Sequence, residues 1–169
     1  LMVRGNHDDP LFFHKELIDY PYMKTLPDYT IVHTRKHNIL CVGGAISIDR
    51  SFRLSQMDYN RILGKQRLPL YWKNEMFRYD EEQLRILNDE GIKIDTVITH
   101  SAPDFCPPLT KGDVEHFCAN DDDLTYDLDK ERKDLTRLYE WLVGNKHPLT
   151  NWFYGHFHTS TETVSYTHL

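Results

Sequence analysis

Two hydrophobic periods alternate along the chain, and their order predicts its elements. Met2 and Val3 read as the end of a buried strand, with residues 5–8 as the loop after it, where open α/β sheets place catalytic groups. Asp9-Pro10 predicts a helix entry: an aspartate cap, proline at the first helical position, then Leu11, Phe12, Leu17 and Ile18 at mixed helical spacings, stopping near Tyr20-Pro21. Residues 29–33 and 38–42 read as a hairpin joined by the polar turn 34–37, and Gly43-Gly44 ends the second strand. Residues 45–53 read as a loop, and residues 55–77, aromatic and polar without a clear period, as a cap or loop. Asp80 opens a helix with Gln83 three residues on as a capping box; Leu84 and Leu87 share a face and Gly91 ends it. Residues 92–99 form a strand delivering His100. Pro103, Pro107, Pro108 and Gly112 break regular structure, and Asp121-Asp122-Asp123 reads as a solvated acidic loop, with an extra cation site as the rarer alternative. Residues 130–144 make a second helix with Leu135, Leu138, Tyr139 and Leu142 as its apolar stripe. Residues 150–154 form a strand ending at Gly155, and residues 159–164 a further one. The order predicts an α/β protein.

Composition narrows this. A chain of 169 residues is one domain's worth, able to bury roughly 70% of its unfolded surface. Residues 1–164 are assigned to that domain; residues 165–169 fit no element and read as a non-native tail. No apolar run approaches the ~20 residues of a membrane span. The formal charge of −6 argues against a basic surface for duplex nucleic acid, though not against a nucleotide substrate. Cys41, Cys106 and Cys118 are an odd number without paired spacing. They read as reduced thiols of a cytoplasmic protein, the alternative being a disulfide between Cys106 and Cys118.

The candidate chemistry lies in three short stretches: Gly5-Asn6-His7-Asp8, Thr99-His100-Ser101-Ala102-Pro103 and Gly155-His156-Phe157-His158. Glycine permits close approach of the backbone, an amide oxygen is a neutral hard ligand, and imidazole can ligate a cation or carry a proton. Any one histidine taken singly is ordinary, and His14, His33, His37, His116, His147 and His168 lack this context. Gly64-Lys65 lacks the rest of a phosphate-binding loop, and no Gly-x-Ser-x-Gly is present.

In this order, separated by whole α/β units, the three stretches resemble the later signature blocks of the calcineurin-like metallophosphoesterases. The resemblance implies two mixed sheets packed as a sandwich flanked by helices, and a site holding two divalent cations (Mn, Fe or Zn). It implies that Asn6, His100 and His156 ligate one metal and His158 the other. His7 is then the general acid at the leaving oxygen, with Asp8 orienting it. The residues after Gly43-Gly44-Ala45 resemble a loop of bacterial members, in which Arg50 and Arg53 either reach substrate phosphate or are surface arginines. Trp72 with Glu75 resembles a Trp-x-x-Glu stretch of the same relatives.

The resemblance implies hydrolysis of a phosphate monoester or diester by a metal-activated water. Its alternative is a non-catalytic binding or scaffold protein on the same fold. A structural zinc site is weaker, because the histidine separations are not the short pairs of zinc modules. The family's Asp-x-His and Gly-Asp-x-x-Asp blocks belong upstream of Gly5, where only Leu1–Arg4 stand; Asp113 after Gly112 does not replace them. The chain is therefore expected to be a fragment that starts inside the domain, which leaves a secretory signal open. By itself it is expected to be inactive and marginally folded, because missing strands would leave unpaired edges.

Overall fold

A computed structural model describes residues 1–15, 17–108 and 114–160. Its elements, in order, are α1 (Pro10–His14), β1 (Asp19–Tyr20), β2 (Met23–Lys24), β3 (Thr30–His33), β4 (Asn38–Val42), α2 (Arg50–Ile62), α3 (Glu81–Asp89), β5 (Thr96–Thr99), α4 (Val114–Cys118), α5 (Leu124–Gly144) and β6 (Asn151–Phe153). They form an α/β protein with two unequal sheets: a β1-β2 hairpin and a four-stranded mixed sheet in the order β3-β4-β5-β6.

The larger sheet is built as its sequence dictates. β3 and β4 pair antiparallel from Thr30↔Cys41 to His33↔Asn38. Their turn is closed by Thr34 Oγ1, which accepts from the His37 and Lys36 amides. β5 joins β4 in parallel, and β6 joins β5 in parallel. Each parallel step needs a long crossover, which α2–α3 and α4–α5 supply. The core forms where Leu40, Val42 and Val97 meet Leu84 of α3 and Leu135, Leu138 and Leu142 of α5. Asp80 caps α3 by accepting from the Gln83 amide at 3.1 Å, and Gly91 ends it at φ 73°.

Five expectations need correction. Met2 and Val3 are half-buried and make a single parallel bridge, Met2 to Thr25, rather than a buried strand. Asp9 does cap α1, accepting from the Leu11 amide at 2.9 Å. That helix ends at His14, however, and residues 19–24 turn back as the β1-β2 hairpin. Residues 50–62, read as loop and cap, are the helix α2, none of whose side chains is buried. Its apolar positions do follow a helical period, although none of them is buried in the core. The second major helix begins at Leu124, not Lys130, and Asp121 is no solvated charge: its carboxylate takes two bonds from Arg50 (2.6 and 2.8 Å) and one from Ser51.

All three cysteines are free. Among the described residues no helix is long and apolar enough to cross a membrane. The strand expected over residues 159–164, the tail 165–169 and Gly112-Asp113 fall wholly or mostly outside the described residues.

Candidate active site

β4, β5 and β6 run parallel, so the segments after Val42, Thr99 and Phe153 emerge at one edge, the edge where open α/β sheets carry their sites. The loop of residues 5–8 is brought there by Gly43-Gly44. The Gly44 amide donates to Arg4 O at 2.8 Å. A Cβ on Gly43 would meet the Arg4 backbone at 2.7 Å, and one on Gly44, whose φ is 100°, would meet Met76 O at 2.5 Å. Only glycine lets these segments pack so closely. Arg4 fixes the same junction from inside, donating to Glu75 O at 2.6 Å and pairing with Asp28 at 2.9 Å.

Within the loop, the Asp8 carboxylate accepts from the Gly5 amide at 2.7 Å and closes the turn. Asn6 is buried. Its Nδ2 donates to Ser47 Oγ at 2.9 Å, and its Oδ1 stands 3.1 Å from His100 Nε2. The His100 and His156 rings meet edge to face with centroids 5.2 Å apart. The Gly155 amide donates to His100 O at 3.1 Å, which ties the last loop to the end of β5. His156 (φ 65°) and His158 (φ 54°) both occupy the left-handed region, a conformation non-glycine residues rarely keep without surrounding constraint. The Arg132 guanidinium braces this loop, lying 5.2 Å over the Phe157 ring while donating to Pro103 O at 2.7 Å.

His7 is exposed, with its Nε2 2.9 Å from a guanidinium nitrogen of Arg53. A guanidinium only donates, so Nε2 accepts and this tautomer carries its proton on Nδ1. Arg53 is anchored to Asp49 at 2.8 Å. Arg50 points elsewhere, clasped by Asp121 and Asp127, and these hydrogen bonds hold its guanidinium charged and Asp121 below the usual carboxylate range. The structure thus gathers Asn6, His100 and His156, and joins His7 to Arg53. It leaves His158 exposed two residues beyond His156.

The donor set decides how well cations fit. Asn6 Oδ1, His100 and His156 are the mixed amide and imidazole donors that borderline divalent metals accept. Among the described residues no group of three or more His, Cys, Asp or Glu side chains is placed to hold a metal ion. The cluster therefore reaches three donors only through the Asn6 amide. Among the described residues no second donor cluster stands around His158.

Two buried acids lie beneath the loops: Glu75, which the sequence offered only through its Trp-x-x-Glu resemblance, and Glu131, which it did not offer. Glu75 accepts from the Ser47 amide at 2.6 Å; Glu131 accepts from the Phe77 amide at 3.0 Å and the Ile46 amide at 3.3 Å. Burial pushes both carboxyls up to about 7, against the lowering effect of these hydrogen bonds. A signal for Glu131 existed. Leu124, Leu128, Leu135, Leu138 and Leu142 follow a helical stripe whose missing place, between Leu128 and Leu135, is residue 131.

A mixed sheet with imidazole and amide side chains on three loops at one strand edge is the arrangement of an α/β protein with a candidate site at its strand ends. The sequence matches the family model for calcineurin-like phosphoesterase over residues 1–160, and the chain belongs to that family, whose members are generally divalent-metal-dependent phosphoric ester hydrolases. No curated protein and no solved structure matched it.

Proposed function

We propose that the chain carries part of the active site of a phosphoesterase that hydrolyses a phosphate monoester or diester. The observation that carries this reading is the convergence of Asn6 Oδ1, His100 and His156, from loops 94 and 56 residues apart, at one sheet edge. In this reading Asn6, His100 and His156 hold one divalent cation, manganese, iron or zinc. His158 serves a second, whose other ligands are not among the described residues. Bound there, such cations supply Lewis acidity toward a phosphate oxygen and a water.

The chain's own residues do the rest. His7, protonated once Arg53 turns from its Nε2 to the phosphate, gives that proton to the leaving oxygen, a role worth ~10²–10⁴ in rate. Arg53, beside His7, offers its guanidinium to a phosphate oxygen, which matches its geometry. Asp8 keeps the loop turned through Gly5. Arg50, committed to two aspartates, acts on α2 rather than on substrate.

The test is hydrolysis of aryl phosphate mono- and diesters with Mn²⁺, by the 169-residue chain and by a version extended upstream through an Asp-x-His block. His7→Ala and His156→Ala serve as controls. Turnover by the extended protein that both substitutions abolish supports the enzyme reading, and the 169-residue chain alone is expected to be inactive. Metal binding without turnover in the extended protein would replace it with the scaffold reading.

A further inference from the structure

No residue from Arg50 to Lys73 is buried, and residues 61–70 are exposed without a break. The helix that opens this stretch is nonetheless amphipathic. Phe52, Tyr59, Ile62 and Leu63, at i, i+7, i+10 and i+11, share one face of α2 and are exposed. Its other side is tied to the body, where Arg50 pairs with Asp121 and Asp127, and Arg53 with Asp49. Gly64, at φ 64°, ends the helix, and the chain returns until Leu70 O accepts from Arg53 at 3.3 Å. Helix and return segment thus make one projection, about 20 Å long. Ile62 is 79% and Leu68 86% exposed on it, and a cluster of such side chains marks a contact surface.

Charge says what the surface meets. From Leu54 to Lys73 stand four basic residues, Arg61, Lys65, Arg67 and Lys73, and one acid, Asp58, so the segment is net +3 in a chain of net −6. All four cations are exposed. Charges are felt over about 10 Å at 0.1 M salt, so a partner at the projection meets its local positive sign. A second copy fits poorly, because a two-fold contact sets these cations against themselves. Nucleic acid would satisfy the cations but gains little from isoleucine and leucine, which offer no ring for a base to stack on. Exposed aliphatic side chains among Lys and Arg match the boundary of an anionic bilayer, where apolar groups enter the acyl layer and cations stay with the headgroups. We propose that residues 52–73 form a docking surface for anionic lipid bilayers, with α2 lying along the interface. Because Arg53 of the same helix touches His7, docking holds the candidate active site beside the headgroups.

The test is co-sedimentation of the 169-residue chain, and of its upstream-extended version, with vesicles of phosphatidylcholine alone or mixed with phosphatidylserine. Binding should require phosphatidylserine and weaken steeply with added salt. Lys65→Gln/Arg67→Gln should weaken it about 10–30-fold, each charge near the surface contributing about fivefold. Ile62→Ser/Leu68→Ser should weaken it about 10–100-fold through the apolar area withdrawn from the bilayer. All four positions are exposed, so the urea midpoints of both variants should match the unaltered chain. Tyr22→Ser, at a fully exposed residue in the turn between β1 and β2, should bind like the unaltered chain, which separates docking from general adhesion. An equal loss in Tyr22→Ser, indifference to phosphatidylserine, or unchanged binding by either double variant would overturn the inference. So would the absence of vesicle binding by both proteins, whether the patch then pairs two copies in analytical ultracentrifugation or holds a single-stranded oligonucleotide.

Discussion

Glu131 offers a sharp test of the packing beneath the site. It sits in the apolar stripe of α5, 4% exposed, and takes hydrogen bonds from the Ile46 and Phe77 amides. Those bonds favour the carboxylate, yet burial outweighs them and lifts its pKa from 4.5 to about 7. The difference corresponds to about 3 kcal/mol of preference for the neutral form. The sign follows from proton counting. Between pH 4.5 and 7 the folded chain holds a proton that the unfolded chain has released, so stability falls as pH rises through this window. Below 4.5 the contribution is intact; above 7 it is gone. Glu131→Gln cannot ionise and should show no such loss. Its NH₂ will face a donor, a fixed penalty of about 1–3 kcal/mol, but that is an offset and not a slope. Urea unfolding of both proteins from pH 4.5 to 8, followed by the fluorescence of Trp72, Trp141 and Trp152, measures the difference. Glu75, raised in the same window, is present in both and mostly cancels. Wild type should lose about 3 kcal/mol relative to the variant across the range. A pH-independent difference would refute the assignment of Glu131 as a buried neutral acid.

Other expectations concern the scaffold. Gly44→Ala places a Cβ 2.5 Å from Met76 O at φ 100°, whereas Gly64→Ala, at φ 64°, meets nothing within 4 Å. By thermal unfolding the second should cost about 1 kcal/mol and the first several times more, or folding itself; equal costs would contradict the close packing at Gly43-Gly44. Arg50→Ala leaves Asp121 and Asp127 without their cation in a mostly buried setting, and should destabilise the chain by about 2–4 kcal/mol in denaturant titration. Since Arg50 keeps Asp121 ionised, the lost stability should shrink as pH falls through the carboxylate range. An Arg50→Ala chain as stable as wild type would show that α2 is held by something else.

Much of this was legible in the chain. The β3-β4 hairpin, the Asp80 cap, the Gly91 stop and the emergence of His100 from a strand end each follow from local chemistry a few residues wide. The approach of the loops that carry His100 and His156 follows too, because β5 and β6 are parallel neighbours; Asn6 reaches them through the Gly43-Gly44 packing against Arg4, a long-range contact no local pattern encodes. α1 was cut short because Leu17 and Ile18 fit a helical spacing as well as a turn into β1. α2 was illegible for a different reason: its apolar residues Phe52, Tyr59 and Ile62 are exposed, and its N-terminus is tied down by ion pairs to residues about 70 positions away. No sequence period encodes such a bond.

The supporting acids mark a further limit of motif reading. Ligand blocks identify side chains that face the site, because those positions need particular atoms. The residues packed beneath them make different contacts, and Ser47 and Glu131 each look ordinary in isolation. What distinguishes Glu131 is its place in a leucine stripe, where an acid has no apolar role and must find donors. It finds them in the amides of Ile46 and Phe77, which flank Ser47 and Glu75 along the chain, so the helix holds these two segments together beneath the site. An interrupted apolar stripe is therefore a readable sign of site support, provided the interruption is treated as a demand for hydrogen bonds rather than as noise in the pattern.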